Sequence, residues 1–201
     1  MTTEAPPKVK YPAADALAVA KVLCDALKPV TERLICAGSL RRRKPMVGDV
    51  EILYIPKLEP LKEFRQGDLL GGEFAQPINQ TNMADLAINA LIARGVLDQR
   101  RNSLGSIVWG EKNKLARHIA SGIPVDLFAA TQANWFNYLV CRTGGAENNV
   151  QVCNAAIRKG WKWNPYGEGF TDGEGNVIPV KSEEDVFRLV GLPYLQPWVR
   201  A

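Results

Sequence analysis

The sequence predicts an α+β fold in which helices flank a mixed sheet, followed by a smaller C-terminal α/β lobe. Helical segments at 13–28 and 82–99 alternate with short apolar runs at 33–37 and 49–55. After Thr131 the sequence changes to short helical segments separated by stretches rich in tryptophan, glycine and proline. The length of 201 residues suits one domain with a small second lobe.

The first half of the chain predicts one helix and the first two strands of the sheet. Alanine and leucine recur at helical spacing over 13–28, and Pro29 ends that helix. Branched and aromatic residues favour strands at 33–37 and 49–55. The glycine-rich stretch over 57–81 is predicted to be irregular.

The rest of the chain predicts a second helix, two more strands and the lobe. Asn82 is the expected cap of the helix over 82–99. Strands are expected over 106–109 and from about 124 to 129. Further short helices are predicted at 134–140, 148–159 and 182–190, the last with Ser182 as its cap. The predicted organisation is a helical lead-in, a sheet domain and a lobe, with the bounds 1–32, 33–130 and 131–201.

Composition and charge argue against several classes of protein. Hydrophobic residues make up 46% of the chain and the formal net charge is +4, which fits a polyanionic partner without requiring one. No apolar run approaches the ~20 residues of a membrane-spanning helix, so we expect a soluble, intracellular protein. The four cysteines form no CxxC pair and the chain has one histidine, which argues against a zinc site.

Three acidic residues lie inside segments that otherwise predict buried strands. Asp49 and Glu51 are two residues apart in DVEILYI, so on a strand both project from the same face. Asp126 has a similar setting in IPVDLFA. Like charges at this spacing repel, and a divalent cation such as Mg²⁺ removes the repulsion. The set indicates a metal site for phosphoryl transfer, although a single Asp-x-Glu pair is more typical of a solvent-facing sheet surface.

A glycine and a serine follow the first predicted strand, shortly before Asp49. Gly38 lets the backbone approach an anion closely, and Ser39 offers a hydroxyl and an N–H to phosphate oxygens. Arg41 and Arg42 add planar, forked donors suited to a triphosphate. A tight turn followed by solvated basic residues is the alternative interpretation, and only the ordered combination favours a nucleotide site.

Four segments, in order, resemble the family X DNA polymerases, the DNA polymerase beta-like group. GSLRRRKPMVGDVEILYI (38–55) resembles the nucleotidyltransferase signature, and VDLFAA (125–130) resembles the strand with the third catalytic aspartate. RTGGAENNVQVCNAAIRKGWKWNPYG (142–167) is similar to the T-G-[GS] turn and the helix behind it. IPVKSEEDVFRLVGLPYLQPWVR (178–200) is similar to the terminal segment. The resemblance implies a nucleotidyltransferase palm followed by one nucleotide-binding lobe.

The resemblance also implies roles for individual residues. Asp49, Glu51 and Asp126 match the catalytic carboxylates that bind two Mg²⁺ ions, with Mn²⁺ as a substitute, and Asp126 would orient the primer 3′-hydroxyl. The residues that match nucleotide-binding positions are Gly38, Ser39, Arg42, Gly144, Gly145 and Asn149. Independently of the resemblance, Lys112 and Lys114 are candidate phosphate contacts to nucleic acid, with a solvated hairpin as the alternative.

The chain departs from the family pattern at several positions. Glu51 stands where these polymerases usually have aspartate, and Cys141-Arg142 replaces the Tyr-Phe pair before the turn. Ala146 and Cys153 replace an acidic residue and an arginine of the following helix. The signature also lies too close to the first residue for the family's helix-hairpin-helix and lyase domains, so a minimal palm with one lobe is expected.

The predicted activity is that of a DNA-directed DNA polymerase, which adds a nucleotide to a DNA 3′-hydroxyl and releases pyrophosphate. The expected partners are a nucleoside triphosphate and a DNA primer–template, with no membrane, and we expect a monomer. Two alternatives remain open: a nucleotidyltransferase acting on RNA or another acceptor, and a non-catalytic nucleotide- or DNA-binding module. Templated against untemplated synthesis and the choice of sugar are also open.

Overall fold

A computed structural model describes residues 9–60 and 80–200 of the chain. The strands are β1 (Tyr11–Pro12), β2 (Thr31–Cys36), β3 (Met46–Val47), β4 (Val50–Pro56), β5 (Leu58–Pro60), β6 (Gln80–Asn82), β7 (Leu97–Gln99), β8 (Asn113–His118), β9 (Pro124–Ala129), β10 (Lys162–Asn164), β11 (Gly169–Thr171) and β12 (Val177–Ile178). The α-helices are α1 (Ala13–Leu27), α2 (Gly38–Arg41), α3 (Met83–Ala93), α4 (Trp135–Thr143), α5 (Ala146–Arg158) and α6 (Glu183–Arg188).

The central element is a five-stranded mixed sheet with the order β2-β4-β9-β8-β7. β4 and β9 run parallel at its centre, whereas the other neighbouring strands are antiparallel. The parallel pair is joined through a long connection that contains α3, as parallel pairing requires. A mixed sheet flanked by helices confirms the predicted α+β class.

Alternation along β4 and β9 sends side chains to two separate cores. Val50 and Ile52 of β4 face α1 and α3, in a core that also holds Leu23 and Ile88. Burial of each such side chain contributes roughly 1.5–3 kcal/mol. On the opposite face, a second core contains the buried side chains of Leu53, Ile55, Phe128, Trp135, Tyr138 and Leu139. The sheet therefore lies between α1 and α3 on one face and α4 on the other.

The C-terminal part of the chain has a third core of its own. Residues of α4, α5, the antiparallel sheet β10-β11-β12 and α6 build it, and its buried members include Val140, Val152, Phe170 and Phe187. Helix α4 supplies Leu139 to the core of the large sheet and Val140 to this core, so it belongs to both. The predicted division into two units near residue 130 therefore stays a prediction.

Local capping explains where several helices begin and end. The Asn82 side chain accepts a hydrogen bond from Asp85 N, and the Ser182 side chain accepts one from Asp185 N, which confirms both residues as helix caps. Gly160 adopts a left-handed conformation just after α5. Within the described ranges, no helix combines the length and apolar character that a membrane span requires.

The sequence predictions were wrong at three places. The second helix ends at Ala93 instead of residue 99, because Gly95 turns the chain with φ +69° and β7 follows. The predicted strand at 106–109 consists only of isolated bridges through Ile107 and Trp109. The described ends of the stretch 57–81 pair as β5 and β6, and residues 61–79 lie outside the described residues.

Candidate active site

Glu51 and Asp126 lie side by side on the sheet face that α4 covers, and Asp49 lies near enough to act on Glu51 through its charge. Glu51 lies in β4 directly beside Asp126 of β9, because these two residues are register partners in the parallel pair. Asp49 lies two residues before Glu51 and immediately precedes β4. Asp49 also lines a cavity of about 330 Å³ together with Arg100. The central strand pair thus brings Glu51 and Asp126 together, and a shared site with Asp49 stays a prediction.

Burial and mutual repulsion make the ionised carboxylates costly. Burial, followed by the nearby Asp49 charge, raises the pKa of Glu51 to about 8. The pKa of Asp126 is also raised, chiefly by burial, although the charge and hydrogen bond of Arg100 oppose that effect. Acidic groups held in this way are stabilised by a cation placed among them.

Two arginines face the carboxylates. Arg100, which follows β7, forms a hydrogen-bonded ion pair with Asp126. Arg142 of α4 lies with its Nη1 3.9 Å from Glu51 Oε1. The sequence gives no signal for either arginine at this site, because Arg100 is 26 residues from Asp126 and Arg142 stands out only as a departure from the family pattern.

The donor chemistry of the site fits a divalent metal. Carboxylate oxygens on adjacent strands are the ligands that Mg²⁺ and Mn²⁺ use. Burial, and to a lesser extent the neighbouring acidic charges, raise the pKa values of Glu51 and Asp126, and a cation bound between them would favour their ionised forms. Across residues 9–60 and 80–200, no group of three or more His, Cys, Asp or Glu side chains is arranged so that it could hold a metal ion. The carboxylates would therefore have to turn from their arginines to share an ion.

Gly38 sits against the carboxylate of Glu51. It is buried and left-handed, with φ +60°, and a Cβ atom built on it would lie 1.9 Å from Glu51 Oε2. Ser39 and Arg42 line a cavity of about 490 Å³ with two lysines, Lys10 and Lys44. The cavity is basic and extends to Gly48, the residue before Asp49, and its charge suits an anionic ligand.

Replacing Gly38 with alanine is expected to displace the Glu51 side chain and lower stability. The added methyl overlaps the carboxylate, and the left-handed backbone costs an alanine about 1 kcal/mol. We expect a fall in Tm and a loss of metal affinity, measured by thermal denaturation and by titration with Mn²⁺. Gly122→Ala is the matched control, because Gly122 is also left-handed, with φ +73°, but has open space around its Cβ position. Equal effects in the two variants would show that contact with Glu51 is unimportant.

The arginine run after Ser39 binds the C-terminal part of the chain. Arg41 forms two hydrogen bonds with the Glu183 carboxylate and one with Thr143 Oγ1, which corrects the prediction that Arg41 is available to a triphosphate. Arg42 donates to Thr143 O at 2.6 Å and to Gly144 O at 3.1 Å, and its Nε is buried without a partner. Arg42 therefore connects the serine segment to the glycine turn.

Arg200 completes a buried network around Glu183. Its Nη1 donates to Glu183 Oε1 at 3.0 Å, and its side chain is fully buried. Glu183 thus accepts hydrogen bonds from Arg41, which lies 142 residues before it, and from Arg200, which lies 17 residues after it. The sequence indicated a capped helix at this point but gave no signal that its first residue pairs with the arginine run.

The glycine turn lies between α4 and α5. A Cβ atom on Gly144 would lie 2.5 Å from Asn148 Nδ2, so the turn leaves no room for a side chain there. Gly145 is the residue before the first turn of α5. Asn149 Nδ2 donates to Cys141 O at 2.8 Å, which ties the start of α5 back to α4. Nucleotide contacts by these residues stay predictions.

The two lysines proposed for nucleic-acid contact differ in exposure. Lys112 is exposed just before β8. Lys114 is only 3% exposed, forms a 2.8 Å ion pair with Asp85, and donates to Gly110 O. The predicted phosphate contact of Lys114 therefore has no support in this geometry, because its ammonium group is already bound inside the protein.

Comparison with known proteins is consistent with this arrangement. The DNA polymerase beta thumb family model matches residues 138–201. DNA polymerase lambda of Rattus norvegicus is 28% identical over 206 residues, which cover 92% of this chain and 31% of the relative. The chain therefore spans about a third of that relative's length.

Two solved structures share the fold. A ternary P/T complex of Leishmania infantum polymerase beta matches with a TM-score of 0.70 at 20% identity, over 96% of this chain and 77% of that one. The ternary gap complex of the same polymerase gives 0.69 at 20% identity, over 96% and 71%. The thumb match over residues 138–201 and the similarity to DNA polymerase lambda support a family X polymerase-like protein, and the two solved structures show that the chain shares their fold.

Proposed function

We propose that the chain is a divalent-metal-dependent nucleotidyltransferase that adds a nucleotide to a DNA 3′-hydroxyl and releases pyrophosphate. The observation that supports this proposal is the pairing of Glu51 with Asp126 across β4 and β9, with Asp49 just before β4 and a basic cavity at Ser39 and Arg42 that extends to Gly48. The carboxylates supply the ligands that a metal needs, and the cavity supplies the positive field that a triphosphate needs.

In the proposed site, Asp49, Glu51 and Asp126 hold Mg²⁺ or Mn²⁺. Such an ion, when bound, neutralises phosphate charge and makes a hydroxyl a better nucleophile. The carboxylate of Asp126 accepts the proton of the primer hydroxyl, a role that its raised pKa favours over that of an ordinary aspartate. β4 and β9 keep the carboxylates in register, so that positioning needs little rearrangement of the backbone.

The incoming triphosphate is proposed to occupy the basic cavity. Ser39 offers its hydroxyl there, and Arg42 has an unpartnered Nε that an anionic oxygen would satisfy. Gly144, Gly145 and Asn149 are proposed to border the nucleotide from the lobe side, since Arg42 already links the serine segment to Gly144.

DNA is the proposed acceptor, and residues 33–130 and 131–201 are proposed to act as palm and nucleotide-binding lobe. Lys112 remains a candidate contact for the DNA backbone, because it is exposed and the chain carries a net charge of +4. An intracellular, monomeric protein is part of the same proposal.

An RNA or ribonucleotide reaction is a second candidate, and the residue at position 141 favours it. Cys141 precedes the glycine turn by three residues and carries a small side chain, whose Sγ lies 3.2 Å from the hydroxyl of Tyr166. The family pattern has a bulky tyrosine at this position, so the chain lacks that ring as a barrier beside the sugar.

Extension of a gapped DNA, a single-stranded DNA primer and an RNA primer, each with the four dNTPs and the four rNTPs, tests these proposals. We expect Mg²⁺-dependent extension of the gapped DNA with dNTPs. Extension confined to an RNA primer would support the second candidate. Failure of all acceptors, in Mg²⁺ and in Mn²⁺, would contradict the nucleotidyltransferase assignment for this chain.

A further inference from the structure

The guanidinium of Arg142 is held inside a cage of aromatic rings. Its Cζ lies 3.6 Å from the ring centre of Phe128, 4.9 Å from that of Tyr166 and 5.6 Å from that of Tyr138. Cation–π contacts of this kind stabilise a charge most when it is shielded from water, and the Arg142 side chain is only 24% exposed. The cage therefore fixes a permanent positive charge next to the carboxylates.

Arg142 is aimed at Glu51 without forming a close ion pair. The distance from its Nη1 to Glu51 Oε1 is 3.9 Å, and its Nε is buried with no hydrogen-bond partner. This differs from the direct, hydrogen-bonded pair of Arg100 with Asp126. The aromatic rings, rather than the carboxylate, thus determine where the Arg142 charge lies.

A divalent cation and a fixed guanidinium compete for the same carboxylate. Charges of the same sign held on one carboxylate repel each other, more strongly in a partly buried site than in water and in proportion to the charge of the metal ion. Because the cage opposes movement of Arg142 away from Glu51, that repulsion would be present whenever a metal binds there.

We propose that Arg142 is a built-in counter-ion of Glu51 that competes with the divalent cation and so sets the metal affinity of the site. This inference rests on the proposed metal-binding function of the carboxylates. It assigns Arg142 as a positioning residue, which acts on Glu51 rather than on the substrate.

Binding of Mn²⁺ alone to the 201-residue chain tests the proposal, with free Mn²⁺ measured by electron paramagnetic resonance in degassed buffer at pH 8. The variant is Arg142→Met, because methionine keeps the length and the contact with the rings but removes the charge. We expect Mn²⁺ to bind about fivefold more tightly, the factor that roughly 1 kcal/mol of lost repulsion gives. Arg142→Lys, which keeps a charge, is expected to stay within about twofold of the wild type.

Arg33→Met is the matched control. Arg33 also stacks on two aromatic rings, with its Cζ 5.6 Å from the centre of Trp135 and 5.4 Å from that of Phe136, but it lies on the edge strand β2. Its substitution should leave Mn²⁺ affinity unchanged. If Arg142→Met does not fold, Arg142→Gln removes the same charge with a hydrophilic side chain and carries the same expectation.

The possible outcomes separate the two proposals. Tighter binding by the uncharged variants, with Arg142→Lys and Arg33→Met near the wild type, supports the counter-ion role. Unchanged or weaker binding by the uncharged variants, with a wild type that binds Mn²⁺, overturns this inference and leaves the proposed function standing. Absence of Mn²⁺ binding in the wild type and every variant overturns the metal site itself, and with it both proposals.

Discussion

Replacing Asp126 with asparagine is expected to lower the rate of nucleotide incorporation by at least about 100-fold while the chain stays folded. Loss of one group that stabilises charge at a reaction centre commonly costs about 10²–10³ in kcat. The amide keeps the shape of the side chain and can still face Arg100, but it offers one weak oxygen ligand and cannot accept the proton of a hydroxyl. Single-turnover extension of a gapped DNA measures the effect.

Asp98→Asn is the control for this prediction. Asp98 belongs to the same sheet and is ion-paired with Arg117 at 2.7 Å, but the pair is solvent-exposed and lies outside the proposed site. Exposed pairs of this kind contribute little to stability, so neither folding nor activity should change by much. Equal activities of Asp126→Asn and the wild type would remove Asp126 from the catalytic site.

Glu183 forms an ion-pair network with Arg41 and Arg200. Among these three residues, we expect replacement of Glu183 with alanine to give the largest loss of stability. The change leaves Arg200, which is fully buried, and Arg41, which is 17% exposed, without their shared carboxylate. Removing one partner of a buried ion pair costs about 3 kcal/mol or more. For a chain of this size, that corresponds to a fall in Tm of roughly 6–12 °C. Calorimetry or thermal denaturation measures it.

Glu184→Ala is the matched control, since Glu184 is the next residue of the same helix and is exposed. We expect a change of less than about 0.5 kcal/mol for this surface substitution. A similar loss in the two variants would mean that helix α6, rather than the buried ion pairs, accounts for the effect.

The pH dependence of stability provides a second measurement of the Glu183 network. Burial alone would raise the pKa of Glu183, but the hydrogen bonds and charges of Arg41 and Arg200 outweigh it and hold the pKa below its ordinary value. The ionised network therefore contributes fully above about pH 4.5, the unfolded value, and is lost as the pH falls through the folded-state pKa. Glu183→Gln should show a shallower fall in unfolding free energy below pH 4.5 than the wild type.

Periodicity and capping residues were sufficient to predict five of the six described α-helices and the strands β2, β4 and β9. The alternation in DVEILYI predicts that Asp49 and Glu51 share a face; the strand begins at Val50, so the structure has Glu51 inside β4 beside Asp126 and Asp49 just before it. Asn82 and Ser182 marked two helix starts through a mechanism that depends only on neighbouring residues. The strand predicted at 106–109 was wrong, because Ile107 and Trp109 form only isolated bridges.

Features that depend on distant partners could not be predicted from local sequence. Arg41 has the composition of a phosphate ligand, and only the folded chain shows that Glu183, far along the sequence, binds its guanidinium. From the sequence alone, Lys114 is expected to be exposed to solvent, whereas in the folded chain it forms an ion pair with Asp85. The roles of Arg100 and Arg142 near the carboxylates also follow from packing rather than from any motif.

Stoichiometric release of pyrophosphate during extension of a gapped DNA tests the central claim most directly. With the wild-type chain, one dNTP and Mg²⁺, the account predicts one pyrophosphate for each nucleotide added, and neither product after chelation of the metal. Extension and pyrophosphate release that proceed equally well without a divalent metal would contradict the proposed role of the three carboxylates. So would the absence of both products in the presence of Mg²⁺ or Mn²⁺.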